Sequence, residues 1–181
     1  MSKRRKIDKF YQEWHVKRAQ ATKNVDEEWT LPCPRPLTAP PHGRYHAVEI
    51  HSIEYFSSAD IQFEGQFYAH WSISTSPRLG QLPFVTNCGD PSNLWFSRDH
   101  WIMGTEHSGQ YLEENTRLKN IARYTDVFGH GKLIIGDNLF LQAHTVNLTA
   151  PAHIEFAFEY TWTSVSCDEY AQELQSQLSV G

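Results

Sequence analysis

The sequence predicts an all-β protein: an antiparallel eight-stranded jelly roll (β-sandwich) with a basic N-terminal arm and a short C-terminal helix. Three observations lead there. Several stretches alternate apolar and polar side chains one by one, which is the period of a strand with one buried face. Roughly eight such stretches follow one another between residues 44 and 165, separated by Gly, Pro, Asn and Asp turns, with no helical pattern between them. Charge is also segregated. The first 24 residues hold eight Lys and Arg against Asp8 and Glu13, a net +6, whereas the other 157 hold eight basic and nineteen acidic side chains, a net −11.

A chain of 181 residues is one domain by size and buries a real core without staples. Aromatic content of 13%, including six Trp, argues against a disordered protein. Cys33, Cys88 and Cys167 are odd in number, widely spaced and without a CxxC, so neither a disulfide framework nor a thiolate zinc site is expected. The N-terminal charges are not followed by an apolar run, and no stretch approaches the roughly 20 apolar residues of a membrane span. The expectation is a soluble chain made inside the cell, with Asn147-Leu148-Thr149 a chance sequon.

The elements are expected in four parts. Residues 1–24 are the basic arm, in which Ile7, Phe10, Tyr11 and Trp14 recur at helical spacing and predict a short amphipathic helix. Residues 25–43 form a linker whose stretch TLPCPRPLTAPPHG carries five prolines, which remove backbone donors and favour an extended path. The β domain spans 44–165. Its candidate strands are YHAVEIHSIEYF (45–56), FYAHWSIST (67–75), LWFS (94–97), WIMGT (101–105), GKLIIG (131–136), NLFLQAHTV (138–146) and HIEFAFEYTW (153–162). In the last of these Ile154, Phe156, Phe158, Tyr160 and Trp162 share one face. The stretch 110–124 reads as a loop with one strand. Residues 166–181 are a terminal helix and tail: Ser166 and Glu169 stand at capping-box spacing, and Val165 and Tyr170 at that of a hydrophobic staple. Tyr170, Leu174 and Leu178 recur every four residues, so this short helix needs a surface to lie on.

Motifs for chemistry are sparse. His42 and His46 have helical metal spacing, but Pro41 and Gly43 oppose a helix there. His46, His51 and Glu54 bring cupin-like metal sites to mind, yet positions five apart on a strand face opposite sides. His144 and His153 stand where two neighbouring strands would face them together. GHGK (129–132) lacks the spacing and the Ser/Thr of a phosphate loop, and no GxSxG or HExxH occurs. Cys88 has no linked base, and Glu113-Glu114 suits a solvated loop. No cofactor, no metal and no enzyme are expected. Trp71, Trp101 and Trp162 read as core or subunit-interface residues, or else as stacking platforms for sugars or bases.

The layout of basic arm, proline-rich tether, β domain and terminal helix resembles single jelly-roll capsid proteins of small icosahedral viruses. The segment HGKLIIGDNLFLQAHTVNLTAPAHIEFAFEYTWTSVSCDEYAQEL is similar to those of circular single-stranded DNA viruses. In that group a glycine-bounded strand precedes a long alternating strand that ends in a helix start, matched here by Val165, Ser166, Glu169 and Tyr170. HAVEIHSIEYF resembles the group's first strand, although arms of the group are often longer and denser in Arg.

The resemblance implies self-assembly of many copies into an icosahedral shell and packaging of a viral genome, single-stranded DNA, by the arm. Lys3, Arg4, Arg5, Lys6, Lys9, Lys17, Arg18 and Lys23 would neutralise phosphates without reading bases. It places the protein in the virion, and in host cytoplasm and nucleus during assembly, with no membrane partner. Two alternatives stand beside it: a carbohydrate- or nucleic-acid-binding β-sandwich with a basic localisation tail, and a cupin-like metalloenzyme.

Overall fold

The computed structural model describes residues 12–21, 26–59, 65–77, 92–105, 111–114, 120–148 and 152–178. Ten strands and one helix fall within them: β1 (Gln12–Ala21), β2 (Asp26–Pro32), β3 (Arg44–Ala59), β4 (Gly65–Ser74), β5 (Asn93–Thr105), β6 (Tyr111–Glu114), β7 (Asn120–Arg123), β8 (Lys132–Ile134), β9 (Asn138–Val146), β10 (Ala152–Ser166) and α1 (Cys167–Leu178). They form two five-stranded antiparallel sheets. The first runs β1-β10-β3-β7, with β8 also pairing β3; the second runs β2-β9-β4-β5-β6.

The pairing is nested. β3 pairs β10 while β4 pairs β9, and outside them β1 pairs β10 while β2 pairs β9. The chain therefore behaves as two-stranded ribbons rolled into a sandwich, which is a jelly roll. Local alternation supplies the inner faces. From β10 come Ile154, Phe156, Phe158 and Tyr160; from β3 Val48, Ile50, Ile53 and Tyr55; from β4 Ala69, Trp71 and Ile73; and from β9 Leu139, Leu141 and Ala143. Each large side chain fully buried there contributes about 1.5–3 kcal/mol. Tyr55, Trp95 and Phe156 interlock edge to face, with ring centroids 4.6 and 5.1 Å apart.

β3 breaks its own alternation. Glu159 lies opposite Ser52 and Tyr160 opposite Ile50, so His51 is an extra residue, a β-bulge. Core residues are even-numbered before it (Val48, Ile50) and odd-numbered after it (Ile53, Tyr55). Trp162 keeps the β10 parity opposite Val48, but it is 39% exposed. Trp71 is fully buried. The side chain of Trp101 lies outside the described ones.

Several expectations are corrected. Residues 12–21 are a strand and not an amphipathic helix, because the free edge of β10 offers them a ladder of backbone partners; such long-range pairing overrides local periodicity. Ile7, Phe10 and Tyr11 lie outside the described residues. The linker is shorter than 25–43, since Asp26–Pro32 pairs with β9 and only 33–43 connects the sheets irregularly. The sandwich thus begins before residue 44. The stretches 94–97 and 101–105 are one strand, and 110–124 contains two short ones. His144 and His153 sit in different sheets and do not face each other. The terminal helix is where it was expected, with Ser166 just before its first residue.

Candidate nucleic-acid and assembly interface

Of the eight predicted phosphate-binding residues, Lys17 and Arg18 fall within the described backbone. They occupy β1 positions opposite Glu155 and Ile154, on the outermost strand of the first sheet. Lys3, Arg4, Arg5, Lys6, Lys9 and Lys23 lie outside the described residues. The basic segment therefore joins the sandwich through an edge strand, and the long pairing with β10 fixes where the arm departs.

At the other end of β3, α1 covers a small second core of Ala47, Ile135 and Val165, against which Leu133, Tyr170 and Leu174 pack. Its start is held reciprocally: the Ser166 backbone N–H donates to Glu169 Oε2 at 2.9 Å, and the Glu169 N–H donates to Ser166 Oγ at 3.3 Å. Tyr45 stacks on Tyr170 with centroids 4.4 Å apart. Beside them opens a pocket of about 210 Å³ lined by Pro34, Pro36, Tyr45, Val48, Ile134 and Tyr170 among others, with an Arg35–Asp137 ion pair at its rim. Cys33 also lines the pocket, and burial pushes its thiol up to about 12, so it is no nucleophile at neutral pH. Cys167 is exposed, and Cys88 lies outside the described residues.

The connection from β7 to β8 is a tight turn. Asp126 Oδ1 accepts from the N–H groups of Phe128 and His130 at 2.7 and 2.9 Å, and Gly129 takes φ +85° to close it. Those N–H donors, His130 first, hold the Asp126 carboxyl below its usual range. The tip presents Val127 and Phe128, 92% and 61% exposed.

The histidines are distributed among separate partners. His46 Nε2 lies 2.6 Å from the Thr38 carbonyl, His51 Nε2 lies 2.8 Å from Thr161 Oγ1, and His130 Nδ1 is 3.5 Å from Glu49. His144 Nδ1 is 2.6 Å from Asp26, with the His70 ring 5.6 Å away. Among the described residues no group of three or more His, Cys, Asp or Glu is placed to hold a metal, and no helix is long and apolar enough to cross a membrane.

Sequence reasoning missed two polar clusters. Asp99 on β5 is buried between the sheets and accepts from Ser57, Tyr55 and Ser97. Gln142 donates to Glu28 and Ser74 and accepts from Ser72 across three strands of the second sheet. A single Asp or Gln inside a β run carries no local mark of such partners.

No family model and no curated protein sequence matches the chain. Solved structures do match in shape. One is VP1 of Trichodysplasia spinulosa-associated polyomavirus in complex with 3′-sialyllactose, at 10% identity and TM-score 0.51, covering 89% of this chain and 98% of that one. Others include the Human Polyomavirus 6 VP1 pentamer (9%, 0.48, 85% and 95%) and apo New Jersey Polyomavirus VP1 (10%, 0.45, 87% and 100%). At 10% identity the likeness to the first of these bears on the fold alone, and it agrees with the jelly roll seen here.

Proposed function

We propose that this chain is a viral capsid protein whose copies close into an icosahedral shell, with the jelly roll as the wall and the basic N-terminal segment holding the packaged genome. The observation that carries the reading is the division of charge on this fold: +6 in the first 24 residues, which include the outermost strand β1, against −11 in the rest of the chain. A basic arm neutralises phosphates, while a negative body keeps nucleic acid off the other surfaces. Repeating a few positive charges per copy across a shell multiplies their effect. The likeness to the sialyllactose-bound VP1 over most of both chains supports the same reading. The resemblance of residues 130–174 to capsid proteins of circular single-stranded DNA viruses supports single-stranded DNA as the cargo and the virion as the destination.

The arm's test follows from the fold. Deleting residues 2–11 removes Lys3, Arg4, Arg5, Lys6 and Lys9 but leaves β1 on β10. The full chain, expressed and imaged by electron microscopy, should form shells. The deletion should form them too, with less nucleic acid inside and a shallower salt dependence, by roughly 0.7 in log–log slope per lost single-strand phosphate contact. Only monomers and dimers across salt and nucleic-acid conditions overturn the shell. Undiminished packaging by the deletion overturns the arm's role. A stable monomer that binds glycans would replace this reading with a carbohydrate-binding module.

A further inference from the structure

We propose that the segment 124–131 is an acid-released cover on the outer face of the first sheet, with His51 as the group whose protonation opens it.

His51 sits at the bulge of β3 and is 1% exposed. The segment meets it at the backbone and at the ring. The Tyr124 N–H donates to the His51 carbonyl at 2.8 Å, and Thr125 Oγ1 reaches the same oxygen at 3.4 Å. Gly131 then lies so close to Ile50 and His51 that an added Cβ would overlap the Ile50 carbonyl oxygen and touch the His51 ring. On the sheet side, His51 Nε2 bonds Thr161. The imidazole is thus enclosed between its sheet and a turn that is tied together internally by Asp126.

The charged groups around it are Glu49 on β3, Glu159 on β10, and His130 and Asp126 in the segment itself. Arg123 ends β7 opposite Ser52, and Lys132 begins β8 opposite Ile50. Burial lowers the affinity of His51 for a proton, and its largest opponents are the two glutamates, with His130 acting alongside burial. The sign follows. The closed form binds a proton more weakly than an opened one, whose imidazole has its ordinary value of 6.5. Closure is therefore fully present above that value and is lost as pH falls through the closed form's lower one. Opening would uncover the edge of β3 between β7 and β8 and carry away the exposed Val127–Phe128 tip.

The test is hydrogen exchange of the full chain between about pH 7.5 and 5.5, a window in which ordinary carboxylates stay ionised, with rates corrected for intrinsic exchange. Protection of the Tyr124 amide, whose bond crosses from the segment to β3, should fall towards the acid end, by up to roughly tenfold per pH unit between the opened form's value of 6.5 and the closed form's lower one, while β4 and β9 keep theirs. His51→Gln should flatten that dependence, and His130→Gln should retain it. In the unmutated protein, the His51 ring signal and the segment's amide signals should titrate with one midpoint by NMR, which keeps the proposal testable if His51→Gln fails to fold. Protection independent of pH, a dependence surviving in His51→Gln, different midpoints, or loss of protection across all strands together would each overturn it.

Discussion

The Ser57 hydroxyl on β3 donates a 2.5 Å hydrogen bond to the Asp99 carboxylate on β5, joining the two sheets through the middle of the sandwich. Tyr55 and Ser97 complete the cluster, with Tyr55 Oη 2.5 Å from Ser97 Oγ. Burial raises the Asp99 affinity for a proton, and these hydrogen bonds partly oppose it. The folded state therefore holds the proton to a higher pH than the unfolded chain does. The Asp99 contribution to stability is fully present below the ordinary carboxylate value and is lost as pH rises through the folded one. Asp99→Asn should flatten this part of the pH profile of the urea midpoint. Asp99→Ala should cost about 1–3 kcal/mol at low pH, by leaving hydroxyls without their acceptor, and less as pH rises through the folded Asp99 value. A wild-type profile identical to that of Asp99→Asn would refute the assignment.

The cap of α1 is a second site where one side chain matters. Ser166 Oγ accepts from the Glu169 N–H, so Ser166→Ala should cost about 1 kcal/mol. Because Tyr170 and Leu174 are the contacts of α1 with the second core, the loss should appear first as fraying there. Thermal melts and exchange at residues 167–174 would register it. No change in either would mean that packing alone holds the helix.

Gly131 and Gly136 form a matched pair. A Cβ on Gly131 meets the Ile50 backbone, which cannot yield cheaply, whereas one on Gly136 has its nearest neighbour at 3.6 Å. Gly131→Ala should therefore lower stability by about 1–3 kcal/mol, the cost of overpacking, and Gly136→Ala by much less. Equal urea midpoints for the two variants would contradict the close approach.

Thiol chemistry should divide by burial. Cys33, with its value pushed up to about 12, should stay unalkylated at neutral pH in the folded chain, while the exposed Cys167 reacts. Peptide mapping after brief iodoacetamide treatment reads both. Fast labelling of Cys33 would show that the pocket it lines opens readily.

Some of this molecule was legible in one dimension. β10 could be read from Ile154, Phe156, Phe158 and Tyr160, and the α1 start from Ser166 and Glu169, because alternation and capping involve neighbours a few residues apart. The polarity of the arm was equally plain, although six of its eight predicted contact residues lie outside the described part.

Partners far away in the chain decided the rest. Gln12 meets Tyr160 and Asp26 meets His144, so whether 12–21 and 26–32 are strands depended on edges of β10 and β9 that no local pattern announces. The bulge at His51 exists only relative to Glu159 and Tyr160, and the burial of Asp99 only relative to Ser57 on the opposite sheet. Periodicity and composition are properties of neighbours, and they sufficed for the β class, the terminal helix and the charged halves. Tertiary structure alone decided the register, the enclosed histidine and the inter-sheet carboxylate, because each is a free-energy balance between backbone pairing and desolvation that is struck only once distant strands are in contact.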